Sequence, residues 1–271
     1  MRRNILKTLT AAVMATAALS ACTSVTGGNP VVENINNAYT GPELSTSVEG
    51  ADVFMPGAPI SIGVGANRIA CTAGWLVDAP EGFTMVTAGH CARFGEGSPV
   101  YFTYTKDGTT REVPLGEVVV TSFAEPYNHA APDIALVKIK VPAGDPTPGD
   151  IYPDSHILIA SNPPKDADQV LREAKGEVAC WFYGVKSRTS ASQNKHCGTI
   201  VKGTGNKVII KPDSADDYTP AASGAPVLWN LDETHGVPIG IVTDLYKGHI
   251  MVDTIGKELA QSGSRIRNYR R

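Results

Sequence analysis

From Pro59 onward the chain breaks into short apolar or alternating runs, and this rhythm limits the fold more than any other feature. The runs lie at Ile60–Val64, Gly74–Val77, Thr84–Thr87, Val100–Tyr104, Glu117–Thr121, Asp133–Val141, His156–Ala160, Glu177–Phe182, Thr199–Lys202, Lys207–Lys211, Ala225–Trp229, Ile239–Val242 and His249–Asp253. Turn residues such as Asp107-Gly108 and Gly203-Thr204-Gly205 separate them, as expected of strands. Only Ile255 to about Ser262 reads as helix, and there is no internal repeat. About a dozen strands in roughly 210 residues suit a pair of six-stranded antiparallel barrels better than one sandwich. The expected fold class is therefore all-β: two six-stranded antiparallel barrels with a short C-terminal helix. A formal net charge of -3 leaves no basic surface of the kind that phosphate-driven nucleic-acid binding requires.

The start of the chain reads differently. Arg2, Arg3 and Lys7 precede a mostly apolar run from Leu9 to Leu19, too short for a stable span of about 20 residues and suited to an export signal. The run closes on Leu19-Ser20-Ala21-Cys22, which resembles the lipobox of bacterial lipoproteins. That resemblance implies cleavage before Cys22, acylation of its thiol, and an exported chain anchored to the outer face of the cell membrane or envelope. Residues 22–55, rich in Thr, Ser, Gly, Asn and Pro, read as a flexible tether, and 56–271 as the folded domain. A coil of that length spans about 30 Å.

Five cysteines are an odd number for an exported chain. Assigning Cys22 to lipid leaves Cys71, Cys91, Cys180 and Cys197, which can pair in three ways. Pairing by neighbourhood joins Cys71 to Cys91 and Cys180 to Cys197. Their spacings fit no zinc finger or ribbon, and no metal or organic cofactor is expected.

Thr87-Ala88-Gly89-His90-Cys91, with Cys71-Thr72-Ala73-Gly74-Trp75 upstream, resembles the histidine motif of chymotrypsin-like (trypsin-type) serine peptidases. Asp133-Ile134-Ala135-Leu136-Val137 resembles the family's aspartate motif, and Ser223-Gly224-Ala225-Pro226 its nucleophile motif. Lys195-His196-Cys197-Gly198-Thr199-Ile200 is similar to the second-barrel hairpin of the bacterial streptogrisin and alpha-lytic branch. The resemblance implies a triad of His90, Asp133 and Ser223, and an oxyanion hole made by the backbone N–H groups of Ala221 and Ser223. It also implies a substrate strand at Thr243, Asp244 and Leu245, with Thr243 where a serine hydroxyl normally touches the triad carboxylate. Asp217 falls where trypsin-type members bind Lys or Arg. The substrate is then a protein or peptide, and the enzyme a monomer.

Two departures matter. The family's Gly-Asp before the serine is Ala221-Ala222 here, and alanine adopts positive φ less cheaply than glycine. These alanines motivate the competing expectation of a weak or inactive protease fold serving as an envelope binding or scaffold protein. Ala222 also cannot pair with a newly cut N-terminal amine, so no activation switch of that type is expected. Tryptic nicking near the start of a purified 52–271 protein should leave its peptidase activity unchanged; a clear gain would contradict this.

Overall fold

The computed structural model describes Phe54 and residues 56–266, apart from 81, 107–108, 126–127, 129, 141–157, 160–163, 186–193 and 230–234. The export signal, Cys22 and nearly all of the tether lie outside the described residues. Phe54, placed by sequence at the tether's end, is instead buried in the core with its ring edge-on to Phe102 at 5.5 Å.

The N-terminal half contains β1 (Pro59–Ile62), β2 (Ile69–Thr72), β3 (Leu76–Ala79), β4 (Gly82–Ala88), β5 (Pro99–Lys106), β6 (Thr109–Thr121) and β7 (Ile134–Ile139). Together with β15 (Arg265–Ile266) they form one eight-stranded sheet in the order β15-β3-β4-β7-β6-β5-β1-β2. The C-terminal half contains β8 (Leu158–Ile159), β9 (Val178–Phe182), β10 (Lys195–Thr204), β11 (Lys207–Pro212), β12 (Pro226–Trp229), β13 (His235–Tyr246) and β14 (His249–Thr254). Here β12-β9-β10-β11-β14-β13 is closed into a six-stranded barrel by the β12–β13 pairing, and β8 adds to β13 in parallel. The architecture is chymotrypsin-like, with the N-terminal half hydrogen-bonded as eight strands instead of six.

Both expected disulfides are present, Cys71–Cys91 and Cys180–Cys197. Cys180 and Cys197 face each other directly across the β9–β10 ladder. The C-terminal helix α2 (Gly256–Ser262) is where the sequence places it and ends on Gly263 at φ 67. A second helix, α1 (Ala167–Ala174), was not expected. Its apolar stripe is short, only Ala167, Val170 and Ala174 being buried, so periodicity is weak. Its start is nevertheless written in the chain, because Asp166 and Gln169 form a reciprocal capping box.

The two halves meet through named contacts. Trp75, fully buried, donates its indole N–H to the Gly240 carbonyl at 2.8 Å. Gly74 has no room for a side chain, since a Cβ there would stand 2.3 Å from Val86 O and 2.7 Å from Gly224 O.

The second half encloses an ion pair between direct cross-strand partners, Lys207 on β11 and Asp253 on β14, both fully buried. Asn206 donates its amide to the other Asp253 oxygen. Burial pushes the Asp253 carboxyl up to about 6 even though Lys207 beside it acts in the opposite direction. Because this folded value lies above the unfolded one, the stability it contributes is full below about pH 4 and is lost as pH rises through about 6. Replacing Lys207 by Met removes the charge that opposes this rise, so at pH 7.5 the buried Asp253 must either stay ionised without a partner or take up a proton on folding, which should cost about 3–5 kcal/mol. The loss should shrink at pH 5, where Asp253 is mostly protonated. Urea unfolding of both proteins at the two pH values checks this.

Candidate active site

His90 and Asp133 are 43 residues apart, and one strand pairing brings them together. β4 and β7 are antiparallel with Ala88 opposite Ile134, so the residues just after β4 lie against the residue just before β7. His90 sits in the 3-10 turn Gly89–Ala92 that follows β4. Asp133, 1% exposed, accepts the His90 backbone N–H on one oxygen at 2.6 Å. Its other oxygen lies 2.7 Å from His90 Nδ1. A buried carboxylate bonded at Nδ1 fixes the imidazole tautomer with Nε2 free to accept a proton. Gly89 is what permits the approach: a Cβ there would come within 2.7 Å of Asp133 Oδ1 and 2.9 Å of Ile134 N. The Thr121 hydroxyl steadies the same turn by donating to Gly89 O at 3.3 Å.

Ser223 reaches this corner from the second half. Its carbonyl accepts the Thr72 N–H at 2.8 Å, and the Thr72 hydroxyl donates to Ala221 O at 2.6 Å. Cys91 Sγ lies 3.9 Å from His90 Nε2 and 4.0 Å from Ser223 O, so one sulfur touches both. Gly224 follows at φ 92, where a Cβ would stand 2.2 Å from Thr87 Oγ1 and 2.3 Å from Thr72 O. Its N–H donates to Val242 O at 2.7 Å, and Val242 returns a bond to Ala225 O at 2.9 Å. The serine is thus pinned between β2 and β13 at the end of the 3-10 turn Pro220–Ala222.

Several expected details differ. No hydrogen bond joins the Ser223 hydroxyl to His90 among the described residues; the Ser223 side chain lies instead within electrostatic reach of the Tyr218 phenol. Burial first, then the Asp244 and Asp133 charges, push the Tyr218 phenol up, while the nearby Ser223 hydroxyl opposes them. The Ser223 N–H, expected to line an oxyanion hole with that of Ala221, donates to Pro220 O at 3.3 Å. Thr243 is buried at the bulge of β13, where the register with β14 shifts between Val242 and Asp244. Its hydroxyl donates to Met251 O at 3.4 Å and lies within electrostatic reach of Asp253, with no hydrogen bond to the Asp133 it was expected to meet. Asp244 accepts the Leu245 N–H at 2.7 Å, and Leu245 is 39% exposed.

Asp217 is occupied by its own neighbours. One oxygen lies 3.1 Å from His196 Nδ1, and the other accepts the Ser214 N–H at 2.8 Å. His196 stacks on Tyr183 with ring centroids 4.4 Å apart. The Trp181 indole N–H donates to Asp217 O at 3.1 Å. An acid held this way braces the wall between β9, β10 and the serine segment. Among the described residues, Cys71, His90 and Cys91 group metal-ligating atoms closely, but both sulfurs belong to a disulfide. Sequence reasoning missed Tyr218 and Thr72; a tyrosine five residues before the serine and a threonine after the first disulfide cysteine carry no motif that would single them out.

No family model and no curated protein sequence matches the chain. Similar solved structures include Protease A of Thermobifida fusca, 18% identical with a TM-score of 0.49 over 80% of this chain and 100% of that one. Cellulomonas bogoriensis chymotrypsin is 17% identical, TM-score 0.47, over 79% of this chain and 98% of that one. Alpha-lytic protease homolog N4 is 13% identical, TM-score 0.45, over 79% and 100%. Likeness at this level leaves the chemistry to be read from the chain's own residues.

Placing a methyl at Gly89 should push Asp133 away from His90. Gly89→Ala should lower the unfolding free energy by about 1–3 kcal/mol through overpacking. The His90 ring 15N shifts should move at the same time; an unchanged imidazole spectrum would contradict the contact.

Proposed function

We propose that the chain is an exported serine endopeptidase, lipid-anchored through Cys22, in which Ser223, His90 and Asp133 form the catalytic triad. The observation that carries this reading is the two-point hold of Asp133 on His90, through the backbone N–H and Nδ1, beside a serine fixed by Thr72. A serine hydroxyl needs a base to become a nucleophile at neutral pH. In the proposed reaction His90 Nε2 takes the Ser223 proton as Oγ attacks a peptide carbonyl. The buried Asp133 stabilises the imidazolium and is not itself protonated. The imidazolium then protonates the leaving amine, and water, activated by the same ring, releases the acyl group. No cofactor enters these steps.

The strand Thr243–Asp244–Leu245 is read as the edge on which an extended peptide is added. Asp217, with both carboxylate oxygens engaged, is read as a buttress, which supports a pocket without preference for Lys or Arg. The two disulfides agree with an oxidising compartment. Among the described residues no helix is long and apolar enough to cross a membrane, and attachment is assigned to lipid on Cys22.

A second reading, a protease-fold binding or scaffold protein of the envelope, is favoured by the Ser223 N–H bonded to Pro220 O. A fluorophosphonate separates the two. It should label Ser223 in folded wild type and fail in Ser223→Ala, and His90→Ala should slow peptide hydrolysis by about 10⁴-fold or more. Folded protein that hydrolyses no peptide and takes up no label would count for the second reading.

A further inference from the structure

The segment before the nucleophile is wound into a pair of overlapping turns. The Ala222 N–H donates to Thr219 O at 2.8 Å, and the Ser223 N–H to Pro220 O at 3.3 Å. The first of these closes a four-residue turn with Pro220 and Ala221 at its centre. Across a planar trans peptide the C=O and the N–H point in opposite directions. With the Pro220 carbonyl turned to Ser223, the Ala221 N–H therefore faces away from it. An oxyanion at the serine would meet a carbonyl oxygen where it needs two donors.

Turning that single peptide plane over converts the arrangement. It releases the Ser223 N–H and swings the Ala221 N–H to the same side. The two forms correspond to type I and type II turns, which share the same closing hydrogen bond, here Ala222 to Thr219, and the same tolerance for proline at the second position. They differ at the third position, which takes positive φ in type II and so favours glycine. Among the described non-glycine residues only Lys247 has positive φ, so Ala221 is on the negative side. The rest of the segment is anchored, because the Thr72 hydroxyl grips Ala221 O and the Thr72 N–H grips Ser223 O. Only the Pro220–Ala221 plane has to move.

We propose that the resting enzyme is latent, its oxyanion site closed by the Pro220 carbonyl, and that Ala221 is the positioning residue that sets how often the site opens. Substrate binds either form, and the developing oxyanion captures the open one. This rests on the peptidase reading above.

Ala221→Gly removes the resistance to positive φ, which amounts to about a tenfold population shift. With a fluorescein-labelled casein substrate kcat should rise about tenfold while KM stays within about twofold, the signature of a group that acts on the transition state. Fluorophosphonate labelling of Ser223 should accelerate by the same factor. A peptide boronate, which forms a tetrahedral adduct, should bind tighter in Ala221→Gly, whereas a cleaved product peptide should bind equally to both proteins. Ala221→Val, worse at positive φ than alanine, should shift each of the first three readouts the other way. Equal or slower labelling of Ala221→Gly than of a reactive wild type overturns the latency and leaves the peptidase reading standing. Failure of folded wild type and Ala221→Gly alike to label or hydrolyse overturns both.

Discussion

The Asp133 carboxylate is the constraint around which the rest is arranged. A carboxylate with 1% exposure has to find donors inside the protein, and it takes two from the same residue, the backbone N–H and the ring of His90. The backbone bond fixes the turn that carries the imidazole, and the ring bond fixes the imidazole itself. Neither is possible without the β4–β7 register, and the register leaves space for nothing larger than glycine at 89.

The serine is governed by a different set of contacts, from across the seam between the two halves. Thr72 supplies both its amide and its hydroxyl to the serine segment, and Gly224 passes close to Thr72 and Thr87 on one side while bonding Val242 on the other. The Cys71–Cys91 disulfide ties β2 to the histidine turn, so the histidine and the residue that holds the serine share one covalent brace. Relative placement of His90 and Ser223 is thereby a property of the seam, which Trp75 also crosses to reach Gly240.

Against this frame, the turn at Pro220–Ala222 is the element for which a second form is proposed, one that keeps the Ala222 to Thr219 bond and gives up that of Ser223 to Pro220. The closed form satisfies the Ser223 amide internally and costs the backbone no positive φ. Glycine at 221 would make the two forms more nearly equal, and alanine tilts the balance toward closure. In the proposed latency a single methyl group acts on the turn without touching Ser223 Oγ or the His90 ring.

Most of the strand rhythm, the cysteine neighbours and the helix after Ile255 were legible in the chain, because alternation, turn chemistry and local spacing are properties of adjacent residues; β2, the first half of β6 and β15 carried no run that marked them, and the histidine, aspartate and serine motifs were read by resemblance. The α1 helix was partly legible, through Asp166 and Gln169, but its apolar stripe was too short to register. What the chain alone did not reveal depends on register and on the turning of one peptide plane. The Lys207–Asp253 pair exists because β11 faces β14, Thr243 turns to Asp253 because β13 bulges there, and Asp217 is occupied because β10 places His196 beside it. Local sequence determined which side chains are present for the chemistry; the tertiary structure decided which donors face which acceptors, since a hydrogen bond is set by distance and direction between segments far apart in the chain.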